Sequence, residues 1–140
     1  MTHRVSPDDR LFVAQLEAST LAPPQFDHRA HVRAAYVYLA ESDPETATTR
    51  MRAALLAFLQ HHGIPASKYH ATITQAWILA VRHFMALTPD ADSADAFLEV
   101  NPQLLDSKIM LSHYSASLLF SAEARAEFME PDQGPLPRYD

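Results

Sequence analysis

The chain has 140 residues, 48% of them hydrophobic, and a net charge of -6 with histidine neutral. That length and apolar content point to one domain burying about two-thirds of its unfolded surface, and they argue against disorder. The acidic balance and the scattered arginines at 29, 33, 50, 52 and 82 argue against a nucleic-acid partner, and the absence of cysteine excludes disulfides, thiolate ligands and a Cys nucleophile.

Ten prolines against two glycines punctuate a run of helices. Ser6-Pro7 pairs an N-cap with proline at the first helical position, and the helix it opens runs to about Ala18 with Leu11, Phe12 and Leu16 inward. Ala22-Pro23-Pro24-Gln25 breaks the chain. Asp27 caps a second helix to about Ser42, with Val32, Ala35 and Leu39 inward, and Asp43-Pro44 opens a third. Its inward face is Ala47, Met51, Leu55, Phe58, Leu59 and His62, and Gly63 and Pro65 end it. A fourth helix is expected from near Ser67 to about Leu87, facing inward with His70, Ile73, Thr74, Trp77, Val81 and Phe84. Ser93 caps a short helix through Val100, Asn101-Pro102 restarts another, and Ser121 caps a last one through Met129. The prolines of the segment after it exclude helix there.

The prediction is therefore an all-α single domain of five to seven helices over 1–130, with an extended Pro-rich tail over 131–140. No signal-peptide core follows Met1, and no apolar run approaches the ~20 residues that cross a bilayer. A cytoplasmic protein without a membrane partner is expected, and an apolar-rich helical domain is compatible with a homodimer.

Chemistry concentrates in two stretches. Phe26-Asp27-His28-Arg29-Ala30-His31 sets two histidines three apart in a helix's first turn, where Cβ atoms lie roughly 5–6 Å apart. Lys68-Tyr69-His70-Ala71-Thr72-Ile73-Thr74 sets a third in the first turn of another helix. The positive helix end and burial both disfavour imidazolium, and metals bind neutral imidazole. If the second and fourth helices face each other there, His28, His31 and His70 converge as ligands for zinc, iron or copper. Thr74 would orient His70 or bond substrate, with Tyr69 beside it. A buried histidine equally serves by bonding a carbonyl, and a threonine by bonding back to the carbonyl four residues earlier.

The other candidates carry less. His61 and His62 fit a helix C-terminus, His83 an outer helix face and His3 a loose terminus. His113, in Ser112-His113-Tyr114-Ser115, fits a fourth ligand or a turn, and the turn is favoured. Asp27 reads as a cap, and Tyr36, Tyr38 and Trp77 as core. Phosphate loops, a Gly-x-Ser-x-Gly elbow and a His-Glu-x-x-His helix are absent.

These two stretches, with Asn101-Pro102-x-Leu104-Leu105-Asp106, Tyr114-Ser115 and Pro131-Asp132-x-x-Pro135-Leu136-Pro137, resemble a family of small uncharacterised bacterial proteins. The resemblance covers nearly the whole chain from Phe26 onward. It implies that His28, His31 and His70 act together and carries no activity of its own; it lowers the weight on His113. The reading is a metal-dependent enzyme acting on a small-molecule substrate. The alternatives are a metal-free enzyme or binder with a buried histidine as general base, and a helical protein-interaction module.

Overall fold

Each helix begins at a side chain that accepts one of the amide protons a helix start leaves free. The computed structural model describes residues 2–136; Met1 and the last four residues of the expected tail, Pro137 among them, lie outside the described residues. Ser6 and Asp9 close a reciprocal capping box on α1 (Pro7–Glu17). Asp27 accepts the Ala30 N–H at the start of α2 (His28–Glu41), and Asp43 that of Thr46 at the start of α3 (Pro44–His61). His70 caps α4 (Ala71–Leu87), and Ser93 caps α5 (Ala94–Val100). Ser115 and Ser121 cap the short α6 (Ala116–Leu119) and α7 (Ala122–Ala126). Between them lie 3-10 turns at Pro23–Gln25, Ala66–Lys68, Pro102–Leu105 and Ser107–Ser112. The described residues are thus an all-α single domain.

The core forms around α2 and α4. Residues Val32 and Ala34 through Leu39 are all buried, so the second half of α2 is enclosed on every side. Tyr36 and Tyr38 are core residues, as expected, and so is Trp77. The chain leaves α2 for α3 through Ser42-Asp43 and leaves α3 for α4 through a short segment, so α3 runs against both and packs on both. The starts of α2 and α4 and the end of α3 therefore share one end of the bundle. Ring contacts mark it: Phe26 to Phe58 at 5.7 Å and His28 to Trp77 at 4.6 Å.

Three boundaries differ from expectation. The α4 helix begins at Ala71, because Lys68 and Tyr69 donate to Pro65 and Ala66 in a separate 3-10 turn. Beyond Asn101-Pro102 the chain makes two 3-10 segments instead of one α-helix. The last helix stops at Ala126. Beyond it Thr72 takes over the backbone, its Oγ1 donating to the Glu127 carbonyl and accepting from the Met129 N–H, each at 3.0 Å.

The tail, as far as it is described, is an extended strap lying on the domain. Asp132 accepts from the Ser115 N–H and hydroxyl, both at 2.7 Å, and Tyr114 donates to the Met129 carbonyl at 2.7 Å. Gln133 donates its N–H to the His113 carbonyl at 2.8 Å, and Leu136 is buried. The start of the chain is also held, contrary to the loose terminus expected at His3. The His3 Nε2–H donates to the Met85 carbonyl at 2.7 Å, Nδ1 accepts the Ala91 N–H at 3.1 Å, and Tyr36 and Phe97 flank the ring. No helix among the described residues is long and apolar enough to cross a membrane.

Candidate functional site

The two stretches singled out in the sequence do meet at one end of the bundle, but their histidines do different things there. The His70 ring is the N-cap of α4. Its Nδ1 accepts the Ile73 N–H at 3.1 Å, and its Nε2–H donates to the Leu119 carbonyl at 2.6 Å. An amide can only donate and a carbonyl can only accept, so these partners fix the tautomer and leave no lone pair over. Burial lowers the His70 pKa, against the hydrogen bond to Leu119, which favours the charged ring. To join a metal site, His70 would have to give up one of the two backbone bonds.

His28, the first residue of α2, is half-buried against Trp77 and donates from Nε2 to the Leu104 carbonyl at 2.9 Å. It ties α2 to the 3-10 turn after α5. Thr74 donates back to the His70 carbonyl at 2.8 Å, the local bond a threonine makes inside a helix. The Tyr69 hydroxyl reaches the Thr74 side chain, burial raises its pKa, and the Arg52 guanidinium lies 5.9 Å from its ring centre. Among the described residues no group of three or more histidine, aspartate or glutamate side chains is gathered as a metal site.

His31 stands apart. Counting from the Asp27 cap, Phe26 is at N′ and His31 at N4, the two positions that form a hydrophobic staple. Their rings are 6.0 Å apart, and Phe26 also contacts Phe58. The residue as a whole is half-buried, but its Nε2 is cut off from solvent and has no hydrogen-bond partner. Burial, with His28 adding to it, pushes the His31 pKa down to about 4, so the ring is neutral at pH 7. A buried polar nitrogen left unmet costs about 1–3 kcal/mol.

The other imidazoles are less informative. His62 lies 4.5 Å from Phe58, edge-on, and its Nε2 is also buried without a partner. It stands at the C-cap of α3, where its backbone N–H, and not its ring, donates to the Phe58 and Gln60 carbonyls. His83 is half-buried, and its Nδ1 is unpartnered, whereas an outer face was expected. His113 lies in the expected turn, with Nδ1 3.3 Å from the Gly134 carbonyl.

One buried group went unread. The Asp9 side chain is 2% exposed and accepts from Ser6 N–H, from Ala94 N–H at 2.9 Å and from Arg33 Nε at 2.9 Å. Burial alone would raise its pKa; the two amides and the guanidinium outweigh it and hold the carboxyl below its ordinary value. Ser6 and Asp9, three apart, are the signature that could have found it. Phe26 at N′ of a clear Asp27 cap is the corresponding signal for the staple.

Compared with known proteins, the chain matches no family model, no curated protein and no solved structure.

Proposed function

We propose that the chain is a small-molecule binder or enzyme in which His31 acts without a metal, as a neutral hydrogen-bond acceptor. The observation that supports it is the buried, unpartnered Nε2 of His31. A leucine at that position would staple Phe26 and leave no polar atom unmet, so stapling alone gives no reason for an imidazole. The lone pair can receive an O–H or N–H brought within roughly 2.6–3.2 Å. A group held near a pKa of about 4 is a weak base at neutral pH, which favours holding a donor over removing its proton. His28, bound to Leu104 through Nε2, fixes the start of α2 beneath it.

The test is a ligand screen on the wild-type chain beside His31→Leu and His70→Asn. Under this reading binding survives chelators and His70→Asn but is lost in His31→Leu. Binding that persists undiminished in His31→Leu contradicts it.

A divalent metal is the second reading, because a neutral imidazole with a free lone pair is also a metal ligand and His28 lies one turn away. It predicts about one equivalent of zinc, iron or copper per chain, lost in His31→Leu. Metal-free protein that cannot be loaded sinks it.

A further inference from the structure

Resting on that reading of His31, we infer that Phe26 occupies the ligand's place and that the ligand is an uncharged ring carrying one hydrogen-bond donor, of the phenol class. The Phe26 ring already fills a ring-sized position between His31, at 6.0 Å, and Phe58, at 5.7 Å. A benzene ring cannot donate to the His31 Nε2, which is why that atom stays unmet. A ring of the same size bearing an O–H would keep the tilted contact with Phe58 and supply the missing bond.

The charges around the position favour a neutral ligand. Asp27 is engaged with the Ala30 N–H, and Arg29 pairs with Asp95 at 2.8 Å. The Arg52 guanidinium lies over Tyr69. With His31 as the acceptor, Nε2 presents only a lone pair, so an anion without a donor gains nothing from it.

The segment carrying Phe26 is suited to swinging aside. Phe26, itself half-buried, follows an exposed 3-10 turn, Pro23–Gln25, and lies outside any α-helix. Its hydrogen bonds lie within the segment, Gln25 N–H to Ala22 at 2.9 Å, Phe26 N–H to Pro23 at 3.1 Å and Ala22 N–H to Gln25 Oε1 at 2.8 Å, and the Phe26 ring packed on the core anchors it. Opening such a segment breaks few contacts, so it costs much less than global unfolding.

The experiment is an NMR titration of the full chain with phenol and with toluene. It compares wild type, Phe26→Ala and the double variant Phe26→Ala/His31→Leu. Vacating the position should make Phe26→Ala bind phenol about tenfold tighter than toluene, the worth of one good hydrogen bond. The double variant should bind both equally. Equal binding of the two probes by Phe26→Ala, or a phenol preference that survives in the double variant, overturns the inference. Should Phe26→Ala fail to fold, the probes are compared on wild type. There phenol, and not toluene, must shift the His31 Nε2 resonance; no shift overturns it. Failure here with His31 still neutral and unbonded leaves the acceptor reading standing, whereas a protonated or bonded His31 removes both.

Discussion

Asp9 and His31 are both titratable groups near the starts of helices, each with polar atoms shut away from water, and they have been treated in opposite ways. At Asp9 the chain has matched a buried charge with donors from three elements: the Ser6 amide at α1, Arg33 from α2 and the Ala94 amide at α5. At His31 it has kept the group neutral and left one nitrogen with nothing. A buried polar group that is fully met explains itself by holding elements together. One that is unmet costs stability and asks for a partner outside the chain. His70 belongs with Asp9 in this respect, which is why the two histidines, alike in the sequence, part company in the fold.

The largest effect should come from the Asp9 side. Asp9→Ala leaves Arg33 without its buried partner and two amides without an acceptor, so chemical denaturation should show a loss of about 3–5 kcal/mol. A loss below about 1 kcal/mol would break the contrast, because Asp9 would then be no better used than a surface charge.

Next, His70→Ala removes both the α4 cap and the tie to Leu119, and a loss of about 2 kcal/mol is expected. His70→Asn, which can still accept the Ile73 N–H, should recover part of it. Identical losses in the two variants would show that the cap is not what matters.

The third prediction concerns pH. The folded pKa of His31 lies below its ordinary 6.5, at about 4, so between these values the unfolded chain binds a proton that the folded chain does not. Stability contributed by the neutral ring is therefore complete above about 6.5 and is lost as pH falls towards 4. The full loss is on the order of 3–4 kcal/mol. His70, also lowered, adds in the same direction. Denaturation midpoints across this range should fall more steeply for wild type than for His31→Leu; parallel slopes would mean that His31 is not the group responsible.

The smallest effect has the most telling sign. At neutral pH, His31→Leu should raise stability by about 1 kcal/mol, because leucine keeps the staple and removes an unmet nitrogen. A destabilised variant would mean that the imidazole is a packing residue after all.

Much of this fold could be read from local signals. Ser6, Asp27, Asp43, Ser93 and Ser121 all cap helices where side-chain chemistry says they should, and Gly63, at φ +68°, closes α3 where only glycine turns freely. What stayed hidden depends on distant backbone. His28 and His70 find their carbonyls 76 and 49 residues along the chain, and no spacing rule reaches that far. An imidazole acting as N-cap is likewise outside the usual Ser, Thr, Asp and Asn set, and the helix start expected near Ser67 fell before it. The signature residues Thr72, Tyr114 and Ser115 turn out to fasten the strap, through Glu127, Met129 and Asp132. Convergence of the two histidine stretches at one end was legible from periodicity and short loops. Which of their nitrogens would be free was not, because that is decided by tertiary hydrogen bonds.

The most direct measurement is the imidazole nitrogen spectrum of His31 in isotopically labelled protein, followed from neutral pH downward. A neutral ring is expected, whose Nε2 has the shift of an unbonded lone pair and which takes up a proton only near pH 4. A ring that is protonated at pH 6, or an Nε2 already engaged in a hydrogen bond at neutral pH, would contradict it.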